Sequence, residues 1–227
     1  MRTKWLPVIT GIFVGVLLIS NIASVKLVLV GPFTFDGGTI LFPLSYIFGD
    51  ILTEVYGYRR SRKVIWLGFF SAFLMSAVFM IVGKLPPAAG WENQDAYDKI
   101  LGLTPRLVIA SLFAYFSGEF SNSFILAKMK IWMQGKRLWA RTIGSTLVGE
   151  GVDTLIFILV AFWGILPGSL IVTLIISNYF FKVGVEVLFT PATYKIVKWL
   201  KHSEGEDYYD YKTNFNPFKL EEEKNKI

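Results

Sequence analysis

Cysteine is absent from the 227-residue chain, and histidine occurs once, as His202 in the C-terminal region. Without cysteine there is no disulfide framework, no thiolate metal site and no cysteine nucleophile. With one histidine, remote from the apolar bulk, most zinc and triad chemistry is excluded as well. The sequence therefore implies no cofactor, no catalytic residues and no metal ligands. Polar stretches are scarce too: 53% of the residues are hydrophobic and 16% aromatic, and mean hydropathy is +0.50. A soluble domain of this length does not carry several apolar runs of about 20 residues, the length that crosses hydrocarbon.

The net charge of +6 invites a nucleic-acid partner, but the basic residues are grouped between apolar runs, as in the positive-inside pattern. The partner implied is a lipid bilayer, with no nucleic acid. Met1-Arg2-Thr3-Lys4 ahead of an apolar run superficially resembles a signal peptide. That run is too long for one and lacks a small-residue cleavage site, so it reads as a retained first helix.

The apolar runs predict six spans: Trp5 to Lys26, Thr39 to Tyr56, Val64 to Val82, Arg106 to Ala127, Thr142 to Trp163, and Ser169 to Thr190. Gly31 to Gly38 reads as a turn or re-entrant segment, and Lys84 to Pro105 as a long polar loop. Pro191 is expected to bend the last helix before an amphipathic continuation to Leu200. Bases gather before the first span (Arg2, Lys4), after the second (Arg59, Arg60, Arg62, Lys63), after the fourth (Lys128, Lys130, Lys136, Arg137, Arg141) and after the sixth (Lys195, Lys198, Lys201). The fold class expected is an all-α membrane protein with six transmembrane helices and both termini cytoplasmic. Its domains are a transmembrane unit over residues 1–200 and a cytoplasmic tail over 201–227. The tail has the composition of a solvated, disordered end, yet Tyr208, Tyr209, Tyr211, Phe215 and Phe218 argue that part of it docks.

One stretch organises the rest, Gly49 to Lys63. Asp50 and Glu54 lie four residues apart on one helix face inside an apolar run, and a purely basic cluster follows. That cluster reads as an orientation signal and not a ligand site. At an offset of 100 positions Gly49-Asp50 meets Gly149-Glu150, with Asp153 nearby, which suggests a 3+3 inverted repeat. In that arrangement the acids of the second and fifth spans meet near the bilayer midplane.

The intramembrane polar set is Asn21, Asp50, Glu54, Glu119, Asn122, Glu150, Asp153, Asn178, Lys182 and Glu186. Glu119 and Asn122 share a face at i, i+3. Asn178, Lys182 and Glu186 follow at i+4 steps, and Lys182 is expected to neutralise Glu186 on its own helix. The bland reading is that such groups are interhelical glue, and Gly11 and Gly15 read as a close-packing pair. The surplus acids need a proton, a cation or the N–H donors of a ligand. A planar heterocycle fits: a carboxylate accepts two parallel N–H bonds from a guanine-like edge, amides read its carbonyl, and a ring stacks on its face.

The motifs Asp50-Ile51-Leu52-Thr53-Glu54-Val55-Tyr56-Gly57, Ser117-Gly118-Glu119-Phe120, Arg141-Thr142-Ile143-Gly144-Ser145, Gly149-Glu150 with Asp153-Thr154, and Phe215-Asn216-Pro217-Phe218 resemble the queuosine-precursor transporter family, also called the VUT family. The resemblance runs over nearly the whole chain and departs in the charged segment from Lys219 to Ile227. It implies a bacterial inner-membrane importer of 7-deazaguanine bases, in the cyano or aminomethyl form. Asp50, Glu54, Glu119, Arg141, Glu150 and Asp153 are then the positions to test first. The substrate-binding set expected is Asp50, Glu54, Glu119, Asn122, Glu150, Asp153, Asn21 and Asn178.

Two alternatives belong to other classes. One is the substrate-binding subunit of an energy-coupling-factor importer, with separate ATPase subunits as partners in place of a homo-oligomer. The other is an intramembrane aspartyl protease using Asp50 and Asp153, for which Gly49-Asp50 supplies half a motif and Ile47 breaks it.

Overall fold

Pro7 and Pro43 stand in the first turns of two helices, where the N–H that proline lacks would have no partner within the helix. The computed structural model describes residues 3–30, 33–102 and 105–219. Seven α-helices lie among them: α1 (Leu6–Ala23), α2 (Phe42–Tyr56), α3 (Tyr58–Gly83), α4 (Gln94–Leu101), α5 (Pro105–Trp132), α6 (Leu138–Phe162) and α7 (Gly168–Glu204). Between α1 and α2 a short antiparallel hairpin pairs β1 (Leu27–Val30) with β2 (Phe33–Asp36), and a 3-10 turn (Gly37–Ile40) leads into α2. The expected turn at 31–38 is thus the second half of this hairpin; Gly31 and Pro32 lie outside the described residues.

Among the described residues five helical segments are long and apolar enough to cross a membrane: α1, α2 with its 3-10 lead-in, α3, α6 and α7. At 28 residues α5 has the length as well, and it carries Glu119, Lys128 and Lys130. The apolar faces turned outward hold Phe70, Phe73, Leu74, Ile81, Phe113, Phe180 and Leu188, a surface suited to lipid. The inner helix is α2, whose Ile47, Ile51 and Val55 pack in a core with Phe13 and Leu17 of α1 and Ile65 of α3.

Several boundaries differ from the sequence reading: α5 runs on past Ala127 to Trp132, α6 begins before Thr142 at Leu138, and three further differences have a visible cause. α3 starts at Tyr58 and not Val64, because its basic first turns are held by the tail. The polar loop contains α4, a single amphipathic helix of eight residues. α7 runs through Pro191 to Glu204 as one 37-residue helix, and the Thr190 hydroxyl donates to the Glu186 carbonyl beside the missing N–H.

Helices α5 and α6 cross where Gly118 faces Gly149. A Cβ added at Gly149 would sit 3.1 Å from the Gly118 carbonyl oxygen and 2.7 Å from the Asn122 Cβ, so only small residues permit this approach. Gly11 and Gly15 behave otherwise. A Cβ at either would meet nothing within 4 Å, so the expected packing pair makes no such contact in this chain.

The described part of the tail docks on the helices. Asp210 Oδ2 accepts from the Tyr58 backbone N–H at 3.0 Å, capping the start of α3. Arg62 Nη1 donates to the Asn214 and Asn216 carbonyls at 2.8 and 2.6 Å, and Trp66 Nε1 to that of Pro217 at 2.8 Å. The Phe215 ring lies 5.0 Å from Tyr58 and 4.2 Å from the Lys128 ammonium. Arg62 is thus a structural anchor, a role its membership of a basic cluster did not suggest. At the same end Glu204 accepts from the Lys4 and Trp5 backbone N–H groups at 3.0 and 2.6 Å, which brings the start of α1 to the end of α7.

Candidate functional site

Halfway along the long helices lies a closed cluster of acids. Asp50 (α2), Glu119 and Asn122 (α5) and Glu150 (α6) have no exposed surface, Glu186 (α7) has 1%, and Asp153 (α6) and Lys182 (α7) are buried. Asn122 Nδ2 donates to Asp50 Oδ1 at 2.7 Å. Glu119 turns toward Ser45 and Gly49 of α2. Lys182 Nζ lies 2.6 Å from Asp153 Oδ2 and 3.1 Å from Glu150 Oε2.

This last contact corrects the expected Lys182–Glu186 pair. Lys182 reaches across to α6, and neither oxygen of Glu186 has a hydrogen-bond partner. Two carboxylates on the facing helix attract the ammonium more strongly than one on its own. The cluster therefore holds five acids, Asp50, Glu119, Glu150, Asp153 and Glu186, against the one base Lys182. Burying that surplus as bare charge would be prohibitive, so the arrangement suits protons or ligand donors. Asp50 Oδ2 and Asn122 Oδ1 also lack donors.

Glu54 belongs to a different tier. One helical turn along α2 from Asp50, about 6 Å, its carboxylate is gripped by both terminal nitrogens of Arg141 from α6. Lys201 of α7 lies 2.6 Å away and Lys130 of α5 lies 3.6 Å away. Asp207 of the tail bridges the same two lysines, at 2.5 Å from Lys130 and 2.9 Å from Lys201. Partial burial works against the ionisation of Asp207, yet its bonds to Lys130 and Lys201 hold its carboxyl below the usual range. For Asp210 burial prevails and pushes the carboxyl up, against the opposing Tyr58 N–H and Thr213 hydroxyl.

Asn21 and Asn178 are half-buried, and each turns its amide onto its own helix, at 2.9 Å to the Leu17 carbonyl and 3.0 Å to that of Leu174. Asn178 stands one turn before Lys182 on α7, and Asn21 lies near the end of α1. Among the described residues no group of three or more His, Cys, Asp and Glu side chains is arranged to hold a metal ion. Sequence reasoning missed Lys130 and Lys201 as partners of Glu54, since both read as orientation signal. The clue available was the run of acids after the sixth span, Glu204, Glu206, Asp207 and Asp210.

Residues 36–196 match the family described as "Putative vitamin uptake transporter". Over 198 residues, 86% of this chain and 86% of the relative, the sequence is 30% identical to the "Probable queuosine precursor transporter" of Bacillus subtilis. It is 25% identical over 164 residues to the "Queuosine precursor transporter" of Escherichia coli, covering 70% of this chain and 71% of that one. No solved structure matches the chain. These are transporters and not enzymes, and the protease reading is overturned with them. Asp153 is held by Lys182 and Asp50 by Asn122, so the two do not form a catalytic pair.

Proposed function

The chain belongs to the vitamin uptake transporter family, and on that premise we propose that it imports 7-deazaguanine precursors of queuosine, cyano or aminomethyl form, across a bacterial inner membrane. The relatives' names supply the substrate class. The observation that carries the site is the buried acid surplus, in which Asp50 Oδ2 and Asn122 Oδ1 have no donors. A guanine-like edge presents parallel N–H groups that satisfy a carboxylate in this way. Asp50, Glu119, Asn122, Glu150 and Asp153 form the proposed substrate set, Asn178 stands at its approach, and Asn21 lies at its periphery. Glu54 is proposed to close the inner end without touching substrate.

Six spans with both termini cytoplasmic complete the reading. The start of α1 meets the end of α7, as an even number of crossings requires, and the basic ends cluster with the tail. Two sets of three long helices, each with acids on its middle member (Asp50 on α2, Glu150 and Asp153 on α6), support an inverted repeat.

The test is uptake of labelled precursor into vesicles containing this protein alone. Uptake supports a self-sufficient transporter. Uptake only when ATPase subunits are added would make it the capture subunit of an energy-coupling-factor importer. No binding or uptake of either precursor under any condition rejects the reading. Glu119→Gln and Asp50→Asn are each expected to weaken binding about 10- to 100-fold, the cost of a charged hydrogen bond, in a protein that stays folded.

A further inference from the structure

Glu186 is the acid of the cluster that the substrate reading does not use. It is buried on α7 with no donor to either oxygen, while the ammonium one turn before it, Lys182, is committed to Asp153 and Glu150. The groups that face it are Glu150 from α6, Asp50 from α2 and Glu119 from α5, with Lys182 on its own helix. Three of those four neighbours are acids, so a charged Glu186 would be repelled by them and left without donors in a low dielectric. Such surroundings suit a neutral carboxyl. An anionic Glu186 has one cation within reach, Lys182 at i−4.

We propose that Glu186 is the proton-carrying group that couples substrate import to a proton gradient, and that Lys182 is the switch it controls. The inference rests on the importer reading above. With a proton on Glu186, Lys182 is held by Asp153 and Glu150, which ties α7 to α6 and keeps the substrate acids assembled. When Glu186 gives its proton to water at the inner face, its carboxylate draws Lys182 along α7. Asp153 and Glu150 are then left as like charges, and the site loosens and holds its cargo less tightly than the neutral form does. One proton enters with each substrate, bound and released at the Glu186 carboxyl, and no covalent bond to substrate changes.

The experiment compares wild-type protein with Glu186→Gln, which fixes the neutral form, in proteoliposomes loaded with the cyano form of the base. Wild-type affinity should fall as pH rises, by up to about tenfold per pH unit for one linked proton. The Gln variant should keep full affinity and full substrate exchange at every pH, yet fail to accumulate substrate under an inward proton gradient. Glu186→Gln that still accumulates, or that keeps the wild-type pH dependence, overturns the proposal. So does loss of exchange, which would make Glu186 a substrate ligand. Wild-type protein alone supplies a second readout: adding substrate at alkaline pH in weak buffer should draw protons from solution, and no uptake overturns the proposal. Wild-type that binds and exchanges substrate without any response to pH removes the coupling and leaves the importer reading intact. Wild-type that binds no precursor removes both.

Discussion

Arg141 of α6 holds Glu54 of α2 with both of its terminal nitrogens, and both side chains are almost wholly removed from solvent. Planar fork meets planar carboxylate, a match that lysine cannot make. Lys201 and Lys130 close around the same carboxylate, so four helices are joined through one acid.

Removing Glu54 leaves Arg141 buried without its carboxylate, whereas removing Arg141 leaves Glu54 with the two lysines. Glu54→Gln is expected to destabilise the fold by about 3 to 5 kcal/mol, and Arg141→Ala by less. The double variant should cost less than the sum of the two. Thermal unfolding in detergent, read as a double-mutant cycle, checks this; strictly additive losses would mean that the pair is not coupled.

The crossing of α5 and α6 should tolerate no side chain at its closest point. Gly149→Ala places a methyl 2.7 Å from the Asn122 Cβ, for an expected loss of about 1 to 3 kcal/mol. Because Asn122 holds Asp50, substrate affinity should fall with it. A lower unfolding midpoint together with weaker binding is the expected result, and an unchanged variant would contradict the geometry.

Gly57 separates α2 from α3 at φ +82°, a conformation that favours glycine, and the Tyr208 ring lies against it. Gly57→Ala should release the tail at a strain cost of about 1 to 3 kcal/mol. Hydrogen exchange at the Tyr208 amide, which donates to the Val55 carbonyl at 3.2 Å, should rise sharply while the amides midway along α6 stay protected.

Docking of the tail should respond to pH in two opposed ways. An undocked tail titrates its aspartates near the ordinary 3.8. Asp210 is raised on docking, so falling pH first firms the docked state, as the buried carboxyl takes its proton. Asp207 is lowered, so its contribution is present above the ordinary value and disappears as pH falls through its docked value. Tail protection measured by hydrogen exchange should therefore hold or improve on mild acidification and weaken only in strong acid. Asp207→Asn should abolish the acid-side loss.

The long helices were legible because a lipid-facing surface leaves uninterrupted apolar runs in the sequence. The start of α3 was not: Arg59 to Lys63 carry like charge at the positive end of a helix, and only the tail makes that tolerable, through Glu206 on Arg60 and backbone carbonyls on Arg62. Spacing along one chain reveals neighbours on one helix, which is why Lys182 was matched with Glu186. Its true partners come from α6, and only packing brings them near. Asp50 and Glu54 look equivalent in sequence, one turn apart on the same face. The helices around them separate the two, with Asn122 beside one and three bases around the other.

With 15 residues, α2 is about 22 Å long, short of the roughly 30 Å of hydrocarbon in a bilayer. Of its span with the 3-10 lead-in, 76% is buried inside the protein, the largest share of any of the five segments. A segment so enclosed owes nothing to hydrophobic matching, and its length is free to follow the distance between its two acids and the inner surface. Sensitivity to membrane thickness should accordingly reside in α1, α3 and α7, leaving α2 as an axle insulated from the lipid in which the protein sits.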